Sequence, residues 1–292
     1  MPIHSLRTDH SARVSLALAL LLCLLTALLP NPALGQYHDD PGLDAYSRSW
    51  SASDEDNTAA IDHQRWQALL DRYLVTDTSD GIYRFDYVAT SDADYQSLLG
   101  YLEQLQSIDP LDYSRAEQMA YWINLYNAQT VEVILREKPR RSIRSTGSGW
   151  LPNGPWDEQL MTVNRRPLSL DDIEHRILRP LWRDPRIHFA VNCASLGCPN
   201  LHPKVFSAAT LEQQLQQAEQ EFLSHPRAIR IENGKLILSK IFKWYREDFA
   251  QNETALLAWL AARAPEELAR RLAEWNGPLR YRYDWRLNKT GN

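Results

Sequence analysis

After Leu29 the sequence has no apolar run long enough to cross a bilayer, and it carries only 3 cysteines in 292 residues. The first absence excludes a multispan membrane protein; the second excludes a disulfide-dense scaffold. There is no glycine-rich phosphate loop, no dinucleotide fingerprint and no His-Glu-x-x-His helix, so the common nucleotide and zinc-protease motifs are missing. No segment repeats and none is of low complexity. Positive charge is not in excess either. Lys and Arg number 32 against 37 Asp and Glu, a net charge of −5. Both signs are scattered along the chain, which argues against a nucleic-acid partner.

Aromatic residues are what the chain has in plenty, with 10 Trp and 13 Tyr. Such side chains suit core edges and grooves, where one end is apolar and the other polar. Residues 1–35 have the pattern of an export signal. Arg7 and Arg13 precede an apolar stretch from Val14 to Leu29, Pro30 and Pro32 break it, and Ala33 and Gly35 are small residues suited to cleavage after Gly35. The expected product is exported, periplasmic or secreted, with no membrane span once the signal is removed. Cleavage also removes Cys23 and leaves Cys193 and Cys198 in a compartment that tolerates disulfides.

Residues 36–57 read as an irregular lead-in, and residues 58–292 as one globular α+β domain, rich in helix with a small sheet. Helices are expected from Thr58 to Tyr73, Tyr95 to Ser107, Arg115 to Glu137, Ser169 to Leu178 and Leu211 to Leu223, each with apolar residues at helical spacing. Two more should follow, Tyr245 to Ala264 with an interruption, then Glu266 to Trp275. Short strands are expected at Ile82–Val88 and Ile187–Cys193. Asn233-Gly234 marks a hairpin within Ile229–Leu238.

Reactive residue types concentrate between Glu174 and His202. Glu174 and His175 share a helix; His188 begins the run His-Phe-Ala-Val-Asn-Cys that ends at Cys193; Gly197, Cys198 and His202 follow. A cysteine at the end of an apolar segment, before a turn, is placed to act as a nucleophile. The blocks Tyr121–Ala128, Leu170–His175, His188–Cys193 with Gly197–Pro199, Lys240–Tyr245 and Tyr283–Asn288 resemble, in order, the family named domain of unknown function 547 in its bacterial, exported branch. That resemblance implies one domain over most of the chain and implies no particular activity.

Two readings of the cluster stand side by side. In the first, the protein is a cysteine-dependent acyl-transfer enzyme or hydrolase acting on a small-molecule or peptide-like substrate. Cys193 is the nucleophile, His175 the base, and Glu174 or Asn124 orients the imidazole or donates to an oxyanion. Asn127, Trp122, His188, Asn192 and Trp156 are candidate binding residues. Strand alternation from His188 to Cys193 would turn these two to opposite faces, which favours His175. In the second reading Cys193 and Cys198 form a structural disulfide in a non-catalytic binding module. A zinc site of His188, Cys193, Cys198 and His202 lacks the usual cysteine spacing; neither metal nor cofactor is expected.

Overall fold

A computed structural model describes residues 42–147 and 153–291. The expected signal at residues 1–35, part of the lead-in, and Trp150 lie outside the described residues. The described chain makes a single α+β domain: eleven helices of varied length and three small sheets among the described residues. None of its helices is long and apolar enough to cross a membrane.

After a helical turn, α1 (Ala45–Arg48), come α2 (Gln64–Tyr73), the two-residue strands β1 (Leu74–Val75) and β2 (Arg84–Phe85), and α3 (Asp92–Gln106). The centre of the domain is α4 (Arg115–Glu137). Its bounds follow from local chemistry. Ser114 Oγ accepts the Glu117 N–H at its start, and Lys138 takes a left-handed conformation (φ 48°) at its end, just before Pro139. Between these ends nearly every side chain is buried, Tyr121, Trp122 and Tyr126 among them. Each large apolar side chain removed from water contributes about 1.5–3 kcal/mol, so this helix organises the core.

A hairpin, β3 (Met161–Val163) and β4 (Arg166–Leu168), leads into the next helix. There Ser169 Oγ accepts from Asp172 N and Asp172 Oδ2 accepts from Ser169 N, both at 3.0 Å, a reciprocal cap. The helix widens to π geometry over Asp172–Leu178 and continues as α5 (Arg179–Trp182). It therefore runs past Pro180, where the sequence suggested a stop. Pro180 stands at the junction where the π segment gives way to α5.

Ile187–Cys193 is not a strand. Ile187–Ala190 forms one helical turn, α6, and Val191 is extended. The turn starts from Asp184-Pro185: Asp184 Oδ1 accepts from Arg186 N at 2.9 Å, and Ile187 N and His188 N donate to the Asp184 and Pro185 carbonyls. A short apolar run fits either state, and here no neighbouring strand competes for its backbone. Likewise, Ile82–Val88 keeps only Arg84–Phe85 as strand, and the helix expected from Thr58 begins at Gln64.

The last third holds α7 (Leu211–Leu223) and the hairpin β5 (Ile229–Glu232) and β6 (Lys235–Ser239). Asn233 and Gly234 turn it with φ of 50° and 68°, as Asn-Gly requires. Four helices, α8 (Ile241–Trp244), α9 (Arg246–Phe249), α10 (Glu253–Ala261) and α11 (Glu266–Ala273), precede β7 (Leu279–Arg282), which pairs parallel with β6. Beside a smaller group of Ile134, Ile143, Ala194 and Leu287, two large apolar clusters form most of the interior. One surrounds α4; the other gathers Phe189, Phe222, Phe242 and Phe249 around the three-stranded sheet. Helix α6 joins them, with Ile187 and Ala190 in the first and Phe189 in the second. His188 thus stands where the two clusters meet.

Candidate functional site

Asn127 of α4 braces the cysteine loop. Its Oδ1 accepts from Asn192 N at 2.8 Å and its Nδ2 donates to the Ala190 carbonyl at 2.9 Å. Asn192 then folds the loop on itself, accepting from Ala194 N at 2.8 Å and donating to the Pro199 carbonyl at 2.7 Å. Ala194, at φ 55°, takes the left-handed conformation this reversal needs. Cys193 and Cys198 are brought together, with 2.7 Å between sulfurs and Cys193 N donating to Cys198 Sγ at 3.0 Å. The C-terminal segment closes the far side. Leu196 N and Gly197 N donate to the Arg286 and Asp284 carbonyls, which places Tyr283 OH 3.0 Å from Cys193 Sγ and 2.9 Å from Ser195 Oγ.

Gly197 makes that approach possible, because a Cβ there would stand 2.7 Å from Asp284 N. Gly197→Ala is expected to destabilise the fold by about 1–3 kcal/mol, the usual cost of forcing atoms into a packed site. A shift in the urea midpoint measures it; an unchanged midpoint would mean the two segments are free to separate.

The two sulfurs differ. Burial opposes ionisation of Cys198, but hydrogen bonds from the Cys193 thiol, Tyr283 and Cys193 N–H, with the positive charge of Arg227, outweigh it and bring its pKa down to about 7. Burial and the neighbouring sulfur push Cys193 up instead. Of the two, Cys198, which is 4 % exposed, is the one whose ionisation is favoured, while Cys193 is the more exposed residue.

The acidic and imidazole groups come from four elements. Glu174 and His175 lie on the π segment, Arg179 on α5, His188 on α6 and Asp248 on α9. His188 Nε2 bonds Asp248 Oδ2 at 2.6 Å, its Nδ1 lies 3.6 Å from Glu174 Oε1, and its ring stacks on Tyr245 at 4.0 Å. Arg179 grips Asp248 through Nε and Nη2, and Tyr126 OH donates to Glu174 Oε2 at 3.1 Å. Burial resists charge on all three acid–base members. It is outweighed by their mutual hydrogen bonds and charges, which raise His188 and hold Glu174 and Asp248 down at about 2. His188 is thereby held between two carboxylates that favour its protonated form. His175 is freer: its side chain is 32 % exposed, with Nε2 3.5 Å from Asp171 Oδ1.

One cavity of about 430 Å³ is lined by both groups, the sulfurs and Tyr283 together with Glu174, His175, His188 and Asp171. Trp156, Trp244, Tyr245 and Trp285 supply aromatic walls. Of the residues singled out in the sequence, Cys193, Cys198, His175, His188, Glu174 and Trp156 meet here. Others are spent elsewhere. Asn124 uses both amide atoms on the Phe206 backbone, Asn127 and Asn192 brace the loop, and Trp122 packs edge-on against Trp50 in the core. The strand expectation that set His188 and Cys193 on opposite faces fails, since both line this cavity. No imidazole among the described residues bonds Cys193, whose sulfur meets Ser195, Cys198 and Tyr283.

Sequence reasoning gave no role to Ser195, Asp248, Tyr245 or Trp244. Tyr283 stood only within a block carrying the family resemblance; Asp248, in a four-residue turn, had no signal at all. His202 Nδ1 lies 2.6 Å from the Lys204 carbonyl. Among the described residues no group of three or more His, Cys, Asp or Glu converges as a metal site. Residues 110–223 match the family model described as protein of unknown function, DUF547. No curated protein and no solved structure matches the chain.

Proposed function

We propose that the chain, whose residues 110–223 match the family described as protein of unknown function, DUF547, is an exported cysteine-dependent acyl-transfer enzyme or hydrolase. Cys193 is the nucleophile. The observation that carries this reading is the Cys193 thiol, which opens onto a cavity while standing 2.7 Å from a sulfur whose ionised form is favoured. As Cys193 Sγ attacks an acyl carbon, its proton passes to the Cys198 thiolate, and the leaving group departs with a proton returned from Cys198. Tyr283 and Ser195 hydroxyls, at 3.0 and 3.2 Å from Cys193 Sγ, would serve as donors to the developing oxyanion. Water or a second acceptor then releases the acyl group, with His175, beside Asp171, as base. The clamped His188 holds Glu174 and Asp248 in place instead of cycling protons.

The test is covalent capture. Brief exposure to p-nitrophenyl acetate is expected to leave one acetyl group on Cys193, seen by intact mass and peptide mapping and absent in Cys193→Ser. The competing reading, a binding module with a Cys193–Cys198 disulfide, draws on the same short sulfur separation. It predicts no acetyl adduct until a reductant is added.

A further inference from the structure

A second cavity, of about 540 Å³, adjoins the first at Tyr283 and is lined by Leu196, Gly197 and five arginines: Arg84, Arg227, Arg230, Arg282 and Arg286. Only two carboxylates, Asp80 and Asp284, line it. Each is already engaged. Asp80 takes two bonds from Arg84 and one from Ile82 N, and Asp284 is held by the Arg286 fork and Arg286 N. That leaves Arg227, Arg230 and Arg282 without a carboxylate lining the cavity to match them.

Their other partners are weak or neutral. Arg227 donates to Asn200 Oδ1 at 2.6 Å and to the Leu196 carbonyl at 3.3 Å, and its buried Nε has no partner. Glu221 does not line the cavity and accepts from Asn200 Nδ2 at 2.7 Å. Arg230 meets Glu232 at 3.3 Å, with its side chain 37 % exposed. Arg282 is exposed on β7 and forms no side-chain hydrogen bond or ion pair among the described residues. Burial lowers the Arg227 pKa to about 10, against the opposing pull of Cys198 and Glu221.

We infer that this cavity is an oxyanion-binding site for a phosphate or sulfate group, free or at the end of a larger ester. Guanidinium forks match tetrahedral oxyanions in geometry as well as charge, and three converging on one cavity exceed what its acids neutralise. The inference does not depend on Cys193 being a nucleophile, because binding is read without turnover.

The experiment is isothermal titration of the full protein at low ionic strength with inorganic phosphate, inorganic sulfate or glycerol 2-phosphate, against chloride at matched ionic strength. Saturable one-to-one binding of phosphate or sulfate is expected. Equal binding of the ester would identify a terminal group of a larger molecule as a ligand, and preference for the free ion a small one; both support the site. Arg230→Gln with Arg282→Gln, both outside the packed interior, should weaken it by about tenfold or more, that is about 1.4 kcal/mol. Circular dichroism checks that this variant is folded, and Arg227→Gln is a second variant expected to weaken binding. No saturable binding, the same response to chloride, or undiminished affinity in the double variant would overturn it.

Discussion

Cys198→Ser is expected to slow iodoacetamide labelling of Cys193 at neutral pH by about tenfold or more, although Cys198 is the sulfur the reagent cannot reach. In the intact pair the first proton leaves with an apparent pKa near 7, because Cys198 Sγ is held by Cys193 N–H, the Cys193 thiol and Tyr283 under the charge of Arg227. Attack by Cys193 draws on that prepared acceptor. With serine in its place, Cys193 must ionise alone, buried, at or above the ordinary thiol value of about 8.5. The labelling profile of the wild type should therefore rise around pH 7, and that of Cys198→Ser at least about one unit higher. Cys193→Ser should abolish rapid labelling, as Cys198 is only 4 % exposed. Profiles that coincide for wild type and Cys198→Ser would remove Cys198 from the chemistry.

The second large effect concerns the clamp behind the cavity. Glu174→Ala is expected to cost about 3–5 kcal/mol, the usual penalty for stripping one partner from a buried charge network, because His188 and Tyr126 lose their partner together. The pH dependence follows from the same groups. Glu174 and Asp248 are lowered from 4.5 and 3.8 to about 2, so their contribution is present above those ordinary values and is lost as pH falls toward 2. For Glu174 this amounts to about 3 kcal/mol. His188 is raised above 6.5, so its contribution is complete below that value and is lost as pH rises through the higher, folded one. The thermal midpoint should thus be highest between about pH 4.5 and 6.5 and decline on both sides. His188→Gln should flatten the alkaline decline. A midpoint that declines neither below nor above this range would mean that the three groups are not coupled.

What could be read from the sequence was whatever local chemistry decides. Helix α4 was legible to the residue because Ser114, Lys138 and Pro139 define its ends, and the β5–β6 hairpin because Asn233-Gly234 allows little else. Ile187–Cys193 was misread since its apolar pattern fits a strand and a helical turn equally, and the deciding bonds come from Asp184 and Pro185. That error carried a second one, the separation of His188 from Cys193. The proposal keeps His175 as base for a different reason: His188 is locked between two carboxylates. Asn124 and Asn127, read as an orienting and a binding residue, instead bond the backbone of Phe206 and of Ala190 and Asn192. Tyr283 and Asp248 reach the site from 90 and 60 residues beyond Cys193 and His188, through tertiary pairing that no local pattern encodes.

The most direct measurement of the central claim uses protein taken from its native compartment, alkylated without reductant and weighed intact, with the adduct mapped. The account predicts one rapidly formed adduct, on Cys193. No adduct before reduction and an adduct only after it would mean that the sulfurs are bridged in the working protein, and Cys193 would then not be its nucleophile.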